Sequence, residues 1–222
     1  MTLVNRDFYF YSLYPLQDHV LHVLSELDIG FYLSGGTAAS RGYLHHRFSD
    51  DLDLFVNDDN NFNLWSQRVI QGLSQRPEFS VQVLVAEQRF VRLNVVQDQI
   101  LLKVEMINDV PARVGSIQQH PILGRLDSAE NILANKVTAA LDREEPKDLA
   151  DIWGFCSQLG LSLTEAIENA HSKAAGIFPA DLARVLISTT NTDWALVRWI
   201  SAPLPEEFVA DLQALGEKLI VP

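Results

Sequence analysis

The fold of this chain is decided by residues 33–56, which read LSGGTAASRGYLHHRFSDDLDLFV. The apolar residues before Gly35 and Gly36 predict a short buried strand, and residues 37–44 predict a helix that begins directly after the glycines. Residues 51–56 then alternate polar and apolar side chains, as a half-buried strand does. The stretch therefore predicts a strand, a tight turn, a helix and a second strand.

The second strand places two carboxylates on one face. With a period of two, Asp51 and Asp53 point to one side, while Leu52 and Leu54 point to the other. The two aspartate Cα atoms would be roughly 6.5–7 Å apart at the usual strand rise. Both carboxylates can then converge on one or two metal ions, and such oxygen ligands suit Mg²⁺. A strand with a solvated acidic face is the alternative explanation of an isolated Asp-x-Asp pattern.

The diglycine turn upstream predicts a phosphate-binding loop. Glycine lets the backbone approach a ligand closely, and a helix N-terminus offers free N–H groups to phosphate oxygens. Ser34 and Thr37 add hydroxyl donors, and Arg47 can bind a phosphate through two nitrogens. Gly35-Gly36 alone is equally typical of a tight strand–helix turn. A cradle followed by an acidic strand is more specific, since it supplies partners for a triphosphate and for its metal.

A lysine later in the chain falls on an apolar helix face. In the helix predicted from Asp127, Lys136 shares a face with Ile132, and a lysine that points inward is costly unless it meets an anion. Asp148 lies in the first turn of the next predicted helix, and Asp151 lies one turn further. Taken alone, this block is also explained by a salt bridge between Lys136 and either aspartate.

A third acid lies on a predicted strand at residues 99–107. Under strand alternation Glu105 shares its face with Lys103. Glu105 suits a third metal ligand or a general base. It suits equally well an ion-pair partner of Lys103 or Arg92.

The rest of the sequence is typical of an α/β chain of the α+β kind. Apolar spacing predicts one helix over residues 15–28 and another that ends at about residue 75. Pro146 suits the first turn of a later helix. Three strands, 79–85, 89–96 and 99–107, form a predicted meander with a turn at 97–98. We therefore predict a small mixed sheet flanked by helices over residues 1–122, followed by a C-terminal helical bundle over residues 123–222.

Composition restricts the class of protein. A hydrophobic fraction of 47% in 222 residues is typical of a folded globular chain. The sequence has no apolar run near the roughly 20 residues that cross a bilayer, so no membrane partner is expected. One cysteine cannot form an internal disulfide, which favours a reducing, cytoplasmic location. The net charge of −12 weighs against tight, general binding of nucleic acid.

Together these residues resemble the AbiEii/AbiGii-type nucleotidyltransferase toxins, which belong to the polymerase-β-like nucleotidyltransferase superfamily. The resemblance lies in Gly-Gly-Thr, a short helix, and His-Arg-x-Ser-x-Asp-x-Asp-Leu-Phe. A second block, residues 130–153 (ENILANKVTAALDREEPKDLADIW), resembles the family's helix with an inward lysine and its Arg/Lys-Asp-x-x-Asp helix. The first pattern matches Gly35, Gly36, Thr37, His46, Arg47, Ser49, Asp51, Asp53, Leu54 and Phe55.

The resemblance implies an enzyme that moves a nucleoside monophosphate from an NTP to an acceptor hydroxyl with Mg²⁺ or Mn²⁺. It further implies a toxin with a separately encoded antitoxin, and the 3′ end of tRNA as acceptor. The metal ligands expected are Asp51 and Asp53, with Glu105 as the third acid. The catalytic set adds Lys136 with Asp148 or Asp151, and the nucleotide-binding set is Ser34, Gly35, Gly36, Thr37, Arg47, Ser49 and Lys136.

Two other functions fit the same residues. One is the same transfer to a protein side chain or to an antibiotic hydroxyl. The other is a catalytically silent module that only binds nucleotide. The intact diglycine, Asp51, Asp53 and Lys136 argue against a silent module, because such a module could lose them.

Overall fold

A seven-stranded mixed sheet forms the centre of the computed structural model, which describes residues 5–143, 145–174 and 176–220. The strand order is β3-β4-β5-β2-β1-β7-β6. The predicted mixed sheet with a helical C-terminal part is confirmed. The strands are β1 (Tyr32–Ser34), β2 (Leu52–Asn57), β3 (Ser80–Ala86), β4 (Phe90–Gln97), β5 (Ile100–Asp109), β6 (Gln118–His120) and β7 (Gly124–Leu126).

Helices surround this sheet and make up the last part of the chain. Three segments are π-helical, namely Tyr9–Leu13, Ala38–Leu44 and Gly154–Gln158. The α-helices are α1 (Arg6–Phe8), α2 (Tyr14–Ser25), α3 (Gly35–Thr37), α4 (Phe62–Ser74), α5 (Ala129–Arg143), α6 (Pro146–Trp153), α7 (Leu163–His171), α8 (Pro179–Ile187), α9 (Asn191–Leu196) and α10 (Pro205–Lys218). None of these described helices is long and apolar enough to cross a membrane.

Strand β2 lies in the middle of the sheet and carries Asp53, and Asp51 lies immediately before its first residue. It runs antiparallel to β1 and parallel to β5, so that Asp53 has Ser34 as its register partner on one side and Glu105 on the other. Leu52 and Leu54 are buried on the opposite face, which confirms the predicted alternation. The acids of β2 and β5 therefore lie next to each other on one face of the sheet.

The opposite face packs against helices and forms the core. Helices α2 and α4 contact each other, and both also contact strands of the sheet. The core continues into the C-terminal helices, because α5 packs on α6, α7 and α8 and its Ile132 and Val137 belong to the same buried cluster as the sheet residues. This packing fixes α5 beside the acidic face of β2.

Three local predictions need correction. The sheet continues past residue 122, since β6 and β7 follow the meander and β7 pairs parallel to β1. These strands have only three residues, too few for an alternating pattern to be visible. The turn between β4 and β5 is centred on Asp98 and Gln99, both with positive φ, and not on residues 97–98. The helix predicted at residues 37–44 begins at Gly35 and is π-helical from Ala38.

Candidate active site

A cleft of about 680 Å³ opens where the acidic face of β2 and β5 meets α5. The side chains that line it include a larger share of the chain's bases than of its acids. Among the described residues, seven of the chain's 17 Lys and Arg side chains line the cleft, but only six of its 29 acids do so. The cleft is therefore locally cationic in a protein of net charge −12. The seven bases are Arg47, Lys103, Lys136, Arg143, Lys147, Lys173 and Arg198.

The floor of the cleft holds the three acids that the sequence singles out. Burial raises the pKa of Asp53 to about 6, and the nearby charges of Glu105 and Asp51 add to this effect. Within the described part of the chain, the Asp53 carboxylate accepts no hydrogen bond, and Lys136 and Lys103 act on it only at longer range. An acid held in this way favours a cation close to it. The donor chemistry of the floor therefore fits a hard divalent ion.

The other two acids already have cationic partners. Lys103 Nζ lies 2.8 Å from Asp51 Oδ2 and 3.4 Å from Glu105 Oε1. Arg92 Nε donates to the same Glu105 oxygen at 2.7 Å. Accordingly, no group of three or more His, Cys, Asp or Glu side chains in the described residues is arranged to hold a metal by itself. Of the alternatives for Glu105, the structure shows the ion pairs with both Lys103 and Arg92.

The two glycines bring the backbone close to the acids. Gly35 has φ +67°, in the left-handed region that disfavours other residues. A Cβ atom at Gly35 would lie 2.1 Å from Asp53 Oδ2, and one at Gly36 would lie 2.9 Å from Arg47 Nη2. Gly35 therefore requires glycine, whereas a side chain at Gly36 would have to displace the guanidinium of Arg47.

The hydroxyl groups near this turn face the protein interior. Ser34 Oγ donates to Asp127 Oδ2 at 2.7 Å. Thr37 Oγ1 lies 3.0 Å from Ser49 Oγ and also donates to the backbone carbonyl of Asp51. The structure thus places Ser34 and Thr37 as groups that order the turn, whereas Ser49 lines the cleft.

Lys136 lies at the centre of a buried charge network on the helical side of the cleft. Its Nζ is 2.8 Å from Asp148 Oδ1 and 2.7 Å from Asp151 Oδ2. Only 5% of Lys136 is exposed, and both aspartates are fully buried. The sequence allowed a salt bridge from Lys136 to either aspartate as an explanation other than function, and the structure has both of these salt bridges. Lys136 nevertheless lines the same cleft as Asp51 and Asp53.

Asp151 connects the second motif block, residues 130–153, to the first, residues 33–56. Its carboxylate accepts two hydrogen bonds of 2.7 Å from Arg47, and it lies 3.0 Å from His46 Nε2. Burial opposes the ionisation of Asp151, but Arg47 and Lys136 outweigh it and hold its pKa well below the usual range. Asp148 instead accepts hydrogen bonds of 2.8 and 3.0 Å from Arg143. Both aspartates thus fix Lys136, and Asp151 alone also fixes Arg47.

Two features of the site have no signal in the sequence. The buried Asp127 accepts hydrogen bonds from Ser34 and from Asn131 Nδ2, the latter at 2.7 Å. Arg198 reaches the cleft from the C-terminal part and forms a 2.5 Å salt bridge with Asp50. The contacts of Asp127 with Ser34 and of Arg198 with Asp50 join residues far apart in the chain, and no local pattern marks such a pair.

The fold is similar to that of solved structures, among them proteins described as nucleotidyltransferases. MenT4, a nucleotidyltransferase toxin from Mycobacterium tuberculosis H37Rv, aligns with a TM-score of 0.65 and 18% identity over 93% of this chain and 82% of its own. JHP933 from Helicobacter pylori aligns with a TM-score of 0.63 and 19% identity over 94% and 90%. A further Helicobacter pylori protein described as a nucleotidyltransferase gives 0.63 and 17% over 92% and 93%. At these identities the likeness shows the fold alone.

The sequence itself identifies the family. No curated protein matches the chain. The family model described as "Nucleotidyl transferase AbiEii toxin, Type IV TA system" matches residues 20–196, which include both motif blocks and most of the chain. The cleft, with its diglycine turn, its acids and Lys136, lies almost wholly within these residues. The resemblance seen in the motifs is thus confirmed, and the chain belongs to the AbiEii family of nucleotidyltransferase toxins of type IV toxin–antitoxin systems.

Proposed function

We propose that this enzyme transfers a nucleoside monophosphate from an NTP to the 3′-terminal hydroxyl of tRNA, in a reaction that depends on Mg²⁺ or Mn²⁺. One observation carries the proposal. The Asp53 carboxylate, which has no hydrogen-bond partner among the described residues, and Lys136 line the same cleft, one from the sheet and the other from helix α5. One side offers carboxylates to a metal ion, and the other offers positive charge to phosphates.

Asp51 and Asp53 are the residues that would hold the metal ion. Both line the cleft, Asp53 from β2 and Asp51 from the residue just before this strand, and Asp53 has no hydrogen-bond partner among the described residues that would have to be displaced. When bound, a divalent ion neutralises triphosphate charge and stabilises the entering and leaving oxygens. All other contributions come from side chains and backbone of the chain itself.

Lys136 and Arg47 would bind the triphosphate across from these acids. Both are buried and oriented by Asp151, so that little conformational entropy is lost when an anion arrives. Gly35 and Gly36 leave space for phosphate oxygens close to the backbone, and Ser49 is the hydroxyl that lines this part of the cleft.

The chemical step follows from this arrangement. The acceptor oxygen forms a bond to the α-phosphorus, the bond from the α-phosphorus to the bridging oxygen breaks, and pyrophosphate leaves. The hydroxyl proton passes to a carboxylate on the cleft floor. Asp148 and Asp151 act as positioning residues, since each contacts Lys136.

The choice of tRNA as acceptor rests on the family resemblance and on the local charge of the cleft. Arg143, Lys147, Lys173 and Arg198 line the cleft and would meet the acceptor phosphates. The net charge of −12 restricts this contact to the cleft, so that we expect brief, salt-sensitive binding of RNA.

Incubation with each α-labelled NTP, Mg²⁺ and total tRNA tests the proposal. Wild type should transfer label to tRNA, and chelation with EDTA should abolish the transfer. Asp53→Asn should lower the rate at least a hundredfold, about 3 kcal/mol of barrier. Asp98→Asn, at the exposed β4–β5 turn, is the matched control and should retain activity.

Two results would contradict the proposal. Label that appears in protein or in small molecules but never in tRNA would change the acceptor and leave the chemistry intact. A transfer rate for Asp53→Asn equal to that of wild type would show that the Asp53 carboxylate is not needed for the reaction.

Membership in the family implies an antitoxin partner. Expression of the chain alone should therefore arrest growth, and Asp53→Asn should relieve the arrest. Unchanged growth on expression of active wild-type enzyme would contradict the toxin role.

A further inference from the structure

The ammonium group of Lys103 lies among the carboxylates on the floor of the cleft. Lys103 Nζ is within 2.8 Å of Asp51 and 3.4 Å of Glu105, so it lies where a second metal ion shared by these two acids would have to bind. Strand β5 sets this position, because Lys103 and Glu105 are two residues apart and point to the same side as Asp53.

The next contact along the sheet reinforces the arrangement. Arg92 of β4 is the register partner of Glu105 and donates to Glu105 Oε1 at 2.7 Å. Lys103 contacts that same oxygen. One oxygen of Glu105 is therefore engaged by two cations, which makes it a poor ligand for a third.

Charge counting leads to the same result. The floor contains three carboxylates, Asp51, Asp53 and Glu105, together with the cations Lys103 and Arg92. Their sum is close to −1, which suits one divalent ion and disfavours two. Asp53 is the only one of the three acids without a cationic contact within salt-bridge distance in the described chain.

We propose that Lys103 acts as a permanent second cation of the active site, so that the enzyme binds one divalent ion, at Asp51 and Asp53, and Glu105 is not a metal ligand. This inference rests on the proposed metal dependence and adds the number of ions to it. Lys103 would hold Asp51 in place and neutralise Glu105, two tasks that a second ion would otherwise perform.

Direct titration with Mn²⁺, followed by the electron paramagnetic resonance signal of the free ion, measures the number of sites without any turnover. Wild type should bind one Mn²⁺ per chain. Lys103→Met keeps the length of the side chain and removes its charge, and should add a second site or tighten binding at least tenfold. Lys103→Arg, which retains the charge, should keep a single site.

Lys218→Met, at an exposed position of α10 away from the cleft, is the matched control and should behave as wild type. Thermal unfolding should verify that each variant is folded. Asp53→Asn should lose the site. Two equivalent Mn²⁺ sites in wild type would overturn the inference and leave the proposed function standing, as would a Lys103→Met variant identical to Lys218→Met. Failure of every variant to bind Mn²⁺ would overturn both.

Discussion

Lys136 Nζ lies 2.7 Å from Asp151 Oδ2, and almost no solvent reaches either side chain. The pair joins α5 to α6, and Asp151 extends the connection to Arg47 through two further hydrogen bonds. A charge buried in this way is stabilised only while all of its partners are present. The residues that would meet the triphosphate are thus held by the same contacts that hold the helices together.

Asp151→Ala should destabilise the fold strongly. The variant leaves Lys136 and Arg47 buried with fewer counter-charges, which costs about 3–5 kcal/mol for a buried pair. Urea unfolding measures this loss. Asp28→Ala, which removes the exposed partner of Arg68, is the control and should unfold almost as wild type does. Equal stabilities for the two variants would contradict the importance of the buried network.

Gly35→Ala should abolish transfer, whereas Gly160→Ala should not. Both glycines have positive φ, +67° and +68°, so both variants should lose about 1–3 kcal/mol of stability through backbone strain. Only at Gly35 would the new Cβ collide with Asp53, because, apart from the chain neighbours of Gly160, no atom of the described residues lies within 4 Å of a Cβ at that position. Rates of transfer at matched folded concentration separate the two effects. Similar activity in both variants would show that the close approach to Asp53 is unimportant.

Ser34→Ala should weaken the fold and leave nucleotide binding intact. Ser34 Oγ donates to Asp127 in the interior, and the loss of this hydrogen bond to a buried charge costs about 1–3 kcal/mol. We expect the KM for the NTP to stay within about twofold of the wild-type value, because the Ser34 hydroxyl faces the interior and would contribute little to the binding of the NTP. Ser172→Ala, which removes an exposed hydroxyl, is the control. A large rise in KM for Ser34→Ala alone would assign the hydroxyl to the nucleotide.

The protein should lose stability in mild acid because the buried His46 resists protonation in the folded state. Burial lowers the pKa of His46 below its ordinary 6.5 in spite of the hydrogen bond to Asp151. Between the lowered value and 6.5 the unfolded chain binds more protons than the folded one, so the free energy of unfolding falls as the pH falls below 6.5. His46→Gln should flatten this part of the stability curve measured by urea unfolding at pH 5–7.

Asp53 affects the same curve in the opposite sense. Its pKa is raised from 3.8 to about 6, so its contribution to stability is greatest in acid and is lost as the pH rises from about 4 to 6. The difference between wild type and His46→Gln removes this background, because both proteins contain Asp53. A difference that does not depend on pH would contradict the buried, neutral state of His46.

The sequence was sufficient to predict the features that depend on periodicity. The alternation over residues 51–56 predicted that Asp51 and Asp53 share a face, and both line the cleft. Helical spacing predicted that Lys136 points inward, and Lys136 is buried. Both patterns are local, since each is produced by a few consecutive residues packed against one core. The order and spacing of the motifs then predicted the family correctly.

Other features depend on contacts that no local pattern records. Strand β7 is held by a short parallel pairing with β1, and Asp127 is held by side chains up to 93 residues away. For Glu105 the sequence permitted both a metal ligand and an ion pair, because register with Arg92 and Lys103 exists only once β4 and β5 have formed. The position of each cation relative to each acid therefore had to come from three-dimensional packing.

The wall behind Arg47 is completed by a segment that follows it at a great distance along the chain. Arg47 pairs with Trp199 in an isolated bridge, and the flanking backbone bonds run from Phe48 N to Arg198 O and from Ile200 N to His46 O, both 2.8 Å. A nascent chain that has emerged from the ribosome only to residue 190 cannot close this bridge. We therefore expect the nascent enzyme to stay inactive until residues 198–200 have left the ribosome, and a chain truncated at residue 190 should be harmless to its host when expressed.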